Sequence, residues 1–234
     1  TLCYGTVSTL HYAVQAFCAK GDSVMISTPV YDPFARAATA AGANVIENKL
    51  IVQNNRYQID FDYFEQQLRE HHPKLYMLCN PHNPSGRIWS REELVTLITL
   101  CAKYNTIVIA DEVHSGLIFD GVYTSTLETG EVFDNVILLS SPNKQYNLGG
   151  LKTSYAIIRN EELRKTFRDR LVKNSITSPT VFGIIALITC YNEGEAYTRE
   201  CMKYLSRNYQ YACDSIDKKI PCLSYMKMES SYLL

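Results

Sequence analysis

Short apolar runs bounded by turn residues alternate along this chain with stretches of helical spacing. Val7, Leu10, Val14, Phe17 and Cys18 recur at helical spacing over residues 6–19, between Gly5 and Gly21. Ser23 to Ser27 reads as a strand stopped by Pro29, residues 34–41 as an Ala-rich helix closed by Gly42, and residues 43–50 as a strand. Residues 53–58 are polar and turn-like, and 61–69 are helical. Three apolar runs then read as buried strands: Leu75–Cys79, Thr106–Ala110 and Val136–Leu139. Between the first two, Ser90 and Glu93 form a capping box that opens a helix through Lys103. Residues 153–158 are a further strand, followed by helices at 161–174, 179–191 and 195–217. The last helix carries Tyr197, Cys201, Tyr204, Leu205, Asn208, Tyr211 and Ile216 near one face. An apolar stretch from Cys222 to Met228 and a strand at 231–234 close the chain.

This alternation predicts a doubly wound α/β sandwich of three layers with a mostly parallel sheet. The alternation stops near Gly194, which predicts a boundary there: a large domain over 1–193 and the start of a smaller α+β domain over 194–234. Thr1 is not an initiator Met and Leu234 falls inside an apolar pattern, so a piece of a longer protein is expected.

Composition narrows the classes. The formal net charge is −1 and no Lys/Arg block stands out, so neither nucleic acid nor an anionic membrane is an expected partner. The most apolar stretch, Val181 to Cys190, is too short to span a bilayer. Eight cysteines without a Cys-x-x-Cys pair read as reduced, buried residues of a cytoplasmic protein.

In open α/β sheets ligands bind at the C-terminal strand edge, and four strands deliver chemistry there. Tyr31 follows the first; it could be a core aromatic or a plate for a planar ligand. Asn80-Pro81-His82-Asn83-Pro84-Ser85-Gly86 follows the next, its prolines holding two asparagines rigidly. Asp111 and His114 follow the third; the carboxylate either caps the next turn or pairs with a buried cation, and the imidazole alone reads as a core histidine. Ser141 and Lys144 follow the fourth; alone, Lys144 reads as a solvated loop lysine. The amides of Thr6 and Val7 at the first helix N-terminus suit a phosphate. No zinc-ligand spacing, Gly-x-Ser-x-Gly elbow or Gly-x-Gly-x-x-Gly turn is present, and no metal is expected. An amine, a carboxylate, an amide and an aromatic together suit pyridoxal 5′-phosphate.

The motifs Thr28-Pro29-Val30-Tyr31, Asn80 to Gly86, Asp111-Glu112-Val113-His114 and Ser141-Pro142-Asn143-Lys144, followed by Asn147 to Leu151, resemble fold-type I pyridoxal phosphate enzymes. The nearest branch is the cystathionine β-lyase-like carbon–sulfur lyases of the class I/II aminotransferase superfamily, because Asp-Glu-Val-His is similar to that branch. The resemblance implies that Lys144 carries the cofactor and moves the α-proton, and that Asp111 pairs with the ring nitrogen. Asn83 would bond the phenolic oxygen and Tyr31 would stack on the ring. Thr6, Val7 and Ser141 would hold the phosphate. His114 lies where aminotransferases have a tyrosine, and Lys152 where many have a phosphate-binding arginine. The implied reaction is β-elimination from cystathionine or cysteine-type amino acids. Transamination is the alternative, and a non-catalytic ligand-sensing module a third. The resemblance also implies a homodimer with active sites at the interface. It places the arginine that grips the substrate carboxylate beyond Leu234 and a further segment before Thr1.

Overall fold

The computed structural model describes residues 1–129 and 133–233. Its central strands are β6 (Leu75–Cys79), β7 (Ile107–Asp111) and β8 (Val136–Ser140), following β2 (Ser23–Thr28) and β3 (Asn44–Lys49). The three central strands β6, β7 and β8 are apolar because they are covered on both faces. The alternation of a strand then divides its side chains between two cores. Leu75, Met77 and Cys79 of β6 join Ile109, Ile137 and Leu139 in one core, packed by α1 (Thr6–Phe17), α2 (Pro33–Ala40) and α5 (Glu161–Lys173). Tyr76 and Leu78 join Val108 and Ala110 in the other, under α3 (Phe61–His71) and α4 (Arg91–Lys103). The result is the expected three-layer sandwich.

Among the described residues the main sheet has seven strands in the order β1-β9-β8-β7-β6-β2-β3, with β1 (Leu2–Tyr4) and β9 (Thr153–Ile158) at one side. Strands β2, β3, β6, β7 and β8 are parallel, and β9 is antiparallel to β8. The chain runs outward from β2 to β3, then returns past β2 to β6 and walks to β9. The order therefore reverses between β2 and β6, which opens a crevice beyond their C-terminal ends.

Local signals set the helix starts. Ser90 Oγ accepts from the Glu93 amide and Glu93 reaches back to the Ser90 amide, completing the capping box of α4. Asp60, Asn160 and Thr180 cap α3, α5 and α6 (Val181–Glu193), each side chain accepting one backbone amide three residues on. The N-terminus of α1 has no side-chain cap and no acidic residue in its first turn. Helix α7 (Glu195–Lys219) starts one residue after Gly194. Among the described residues no helix is long and apolar enough to cross a membrane.

Three local expectations change. Residues 51–58 are a hairpin, β4 (Ile51–Gln53) and β5 (Arg56–Gln58), rather than a plain turn. Asn54 and Asn55 both take positive φ, the conformation a two-residue hairpin turn needs and asparagine tolerates. β1 is an added edge strand, paired antiparallel with β9. The strand expected at 231–234 is absent over its described residues. Ser230 makes a single bridge with Ile118, and the Glu229 amide and Ser230 hydroxyl bond the Gly86 carbonyl instead of a neighbouring strand.

The two kinds of restraint on α4 differ in size. Leu97→Ala empties a fully buried site and should cost about 2–5 kcal/mol. Ser90→Ala removes one cap and should cost about 1 kcal/mol. Urea titrations that gave equal losses would contradict this packing.

Candidate active site

The crevice is a cavity of about 490 Å³ whose wall includes Thr6, Val7, Tyr31, Asn83, Asp111, His114 and Lys144. Seven of the eight residues singled out from the sequence thus meet at one place. Each loop at this edge is bonded to its neighbour, which continues the sheet past its strands. The Tyr31 amide donates to the Asn83 carbonyl at 3.0 Å. The Asn80 amide donates to the Asp111 carbonyl at 3.0 Å, and the Glu112 amide to the Leu139 carbonyl at 2.8 Å. The Cys79 thiol, buried and pushed up in pKa by desolvation, accepts from the Asn83 amide at 3.3 Å and donates to the Pro81 carbonyl.

Asp111 ends the central strand β7 and is buried. One oxygen accepts from the Val113 amide at 3.1 Å. Burial pushes its pKa up to about 6, above the ordinary 3.8; the Val113 bond and the Lys144 charge oppose this, and the adjacent Glu112 adds to it. Glu112 points the other way. Its carboxylate accepts from the Ser125 hydroxyl and from the amide and hydroxyl of Thr126, at 2.7–2.8 Å, and from the Tyr123 hydroxyl. One carboxylate of the pair is therefore committed to structure, while the other keeps free acceptor capacity toward the cavity.

His114 is buried, and desolvation, aided by the Lys144 charge, lowers its pKa to about 4. Its Nδ1 lies 3.1 Å from the Ser231 hydroxyl. Lys144 sits in the loop after β8, where the Tyr146 amide bonds Pro142 and the Leu148 amide bonds Asn143. Its Nζ is 5.7 Å from the centroid of the Tyr232 ring, which also tilts against His114.

Ser141 opens the loop that carries Lys144. It is buried, its hydroxyl donates to the Thr153 carbonyl at 2.6 Å, and it accepts from the Asn143 amide at 3.0 Å. It braces the lysine loop and does not reach the cavity wall. Lys152 does reach it, beside Gly5 and the first turn of α1.

Several cavity residues escaped the sequence reading. Tyr232 comes from the end of the chain, and Tyr197, Cys201, Tyr204 and Leu205 present one face of α7. The i, i+4, i+7, i+8 spacing of the α7 set marked a face, and nothing local marked what it faces. Asn143 also lines the cavity, and its Oδ1 is buried without a hydrogen-bond partner.

These features fit a phosphorylated pyridine aldehyde. The uncapped amides of α1 with Lys152 suit its phosphate, Asp111 suits a protonated ring nitrogen, and Lys144 suits a carbonyl carbon. The partnerless Asn143 oxygen marks a place where a bound group would complete a buried polar set.

Comparison with known proteins agrees. The profile of the aminotransferase class I and II family matches residues 1–233. Cystathionine beta-lyase PatB of Bacillus subtilis is 34% identical over 232 residues, 98% of this chain and 60% of that protein. The solved structure of cystalysin from Treponema denticola, which contains a pyridoxal 5′-phosphate cofactor, superposes with a TM-score of 0.95 at 30% identity, over 99% of this chain and 59% of that one. The PLP-bound C–S lyase of Staphylococcus hominis superposes with a TM-score of 0.93 at 30% identity, over the same shares of the two chains. The chain thus spans about three-fifths of the length of these relatives. On its sequence and its fold, it belongs to the aminotransferase class I and II family.

Proposed function

We propose that the protein carrying this chain is a pyridoxal phosphate-dependent carbon–sulfur β-lyase acting on cystathionine or cysteine-type amino acids. The observation that carries the cofactor dependence is Asp111, while the choice of lyase over transaminase is supported by the similar lyases. A buried carboxyl beside a cavity, with one backbone donor, is costly unless a cation arrives from outside the chain. The similar PLP-bound lyases support that choice of partner.

Bound here, pyridoxal phosphate supplies an electron sink for charge developing at a substrate α-carbon. Asp111 would hold the proton on the ring nitrogen, Asn83 would donate to the phenolic oxygen and Tyr31 would stack on the ring. Thr6 and Val7 offer backbone amides to the phosphate, with Lys152 as counter-charge; Ser141 serves by bracing the loop. Lys144 would hold the carbonyl carbon, and its Nζ, once free, would be the base for the substrate α-proton. With sulfur on the β-carbon the net reaction would be elimination, in which substrate and water give a thiol, pyruvate and ammonia. His114, held neutral by burial, offers a hydrogen bond without adding charge beside Lys144. Transamination uses the same cofactor contacts and remains the second reading, because the matching family includes it.

We assign residues 1–193 to the cofactor domain and 194–234 to the start of a smaller one. The whole protein is proposed to be a cytoplasmic homodimer; its eight free cysteines suit a reducing compartment.

Three outcomes test this reading on the full-length protein. Borohydride should fix the cofactor on the peptide containing Lys144; a label on another lysine removes that assignment. Cystathionine alone should yield pyruvate, and Asp111→Ala should lower kcat roughly a hundredfold or more. Product that requires an added keto acid would favour the transaminase instead. The third outcome is a pH dependence of the cofactor-free protein. Asp111 titrates at about 6 when folded, against an ordinary 3.8, so the folded state holds the extra proton between those values. Its contribution is most favourable at low pH and falls as pH rises through that window. Asp111→Asn should therefore gain roughly 2–3 kcal/mol on wild type between pH 4 and 7, and added pyridoxal phosphate should erase that gain. A pH-independent difference in urea midpoints would contradict the burial argument.

A further inference from the structure

Gln145, the residue after Lys144, has no role in the scheme above, yet its surroundings are specific. Its Nε2 donates to the Thr198 hydroxyl at 2.9 Å and to the Tyr146 hydroxyl at 3.1 Å. Thr198 lies in the first turn of α7, and its own hydroxyl donates to the Gly194 carbonyl at 3.3 Å. The carbonyl side of the same amide lies against Gly116, where any β-carbon would overlap Oε1 and Cδ. Tyr146 is seated similarly. A β-carbon on Gly194 would overlap its ring, which packs on Tyr197 at 5.8 Å and edge-on against Tyr191 at 6.4 Å. Two successive side chains after the lysine therefore enter notches left by two glycines.

This contact joins α7 to the lysine loop. The first half of α7 supplies Tyr197, Cys201, Tyr204 and Leu205 to the cavity that Lys144 faces. We propose that Gln145 is a positioning residue that clamps the first turn of α7 to the lysine loop, and so fixes the spacing between the Lys144 amine and the aromatic wall opposite. The proposal rests on the reading that Lys144 carries the cofactor. Loss of the clamp frees the loop and the wall together. A displacement of about 1 Å at a reacting group is enough to slow turnover by up to about a hundredfold.

Two measurements on the full-length protein test it. In the cofactor-free protein, Gln145→Ala should raise hydrogen exchange at the Tyr146 and Leu148 amides about tenfold. Gly116→Ala should do the same by expelling the glutamine, since Gly116 needs no positive φ. The double variant should exchange no faster than either single one, because both remove one contact. In the protein loaded with pyridoxal phosphate, the pH midpoint of the visible band should shift by about half a unit in Gln145→Ala, with kcat falling more than KM changes. Thr198→Val, which removes the acceptor and keeps the shape, should reproduce these effects and serves if Gly116→Ala does not fold. Unchanged exchange and an unchanged midpoint in Gln145→Ala, or effects of the two single variants that sum, would overturn the clamp. Borohydride labelling of wild type at a different lysine would instead overturn the cofactor assignment, and the exchange data would still judge the clamp.

Discussion

The molecule is arranged around a carboxyl group that it buries without giving it a cation. Asp111 stands at the end of β7, with β6 and β8 on either side, where covering both sheet faces leaves little water. Its neighbour Glu112 shows what a buried carboxylate requires when it is purely structural: hydrogen bonds from Tyr123, Ser125 and Thr126. Asp111 has the Val113 amide and an open side. Lys144 is near enough to lower its pKa, but not by enough to cancel the effect of burial. Between the two lies the cavity, so the free energy that would have made an internal ion pair is left for a ligand.

The fold makes that arrangement rigid. The outward turn from β2 to β3 and the return to β6 open the crevice, and loop-to-loop hydrogen bonds then fix its rim. Tyr31 hangs on the Asn83 carbonyl, the Asn80 turn on the Asp111 carbonyl, and Glu112 on Leu139. Moving one site residue therefore means breaking the backbone bond of the next. Catalytic groups need this kind of preorganisation, because reorganising them during the reaction would cost rate.

What the sequence revealed and concealed follows from how local each cause is. The runs Leu75–Cys79 and Val136–Leu139 could be read as buried strands because burial on both faces leaves a continuous apolar string. Ser90 and Glu93 could be read because a capping box closes over four residues. Asp111, Asn83 and Lys144 stood out because each follows such a strand. The edge strand β1 could not be read, since its three residues gain their identity from β9, some 150 positions away. The partners of Ser141 could not be read for a related reason: a hydroxyl in a polar loop can turn to many groups, and the Thr153 carbonyl it bonds lies on another element. Tyr232 was invisible as a site residue, because its place over Lys144 depends on how residues 229–231 dock on Gly86 and Leu117.

These distances in sequence bear on how the two sides of the cavity are related. The groups suited to the cofactor come from loops bonded to one another along one sheet edge, and they would serve elimination or transamination equally. The opposite wall, Tyr197 to Leu205 with Tyr232, comes from elements that contribute little to either core. Gln145 and Tyr146 tie that wall to the sheet edge, because the loop that carries Lys144 also fills the notches at Gly116 and Gly194. The amine and the opposite wall of the cavity are then one mechanical unit. A substitution that shifts this wall would also disturb Lys144, so the shape of the cavity and the placement of the amine would change together.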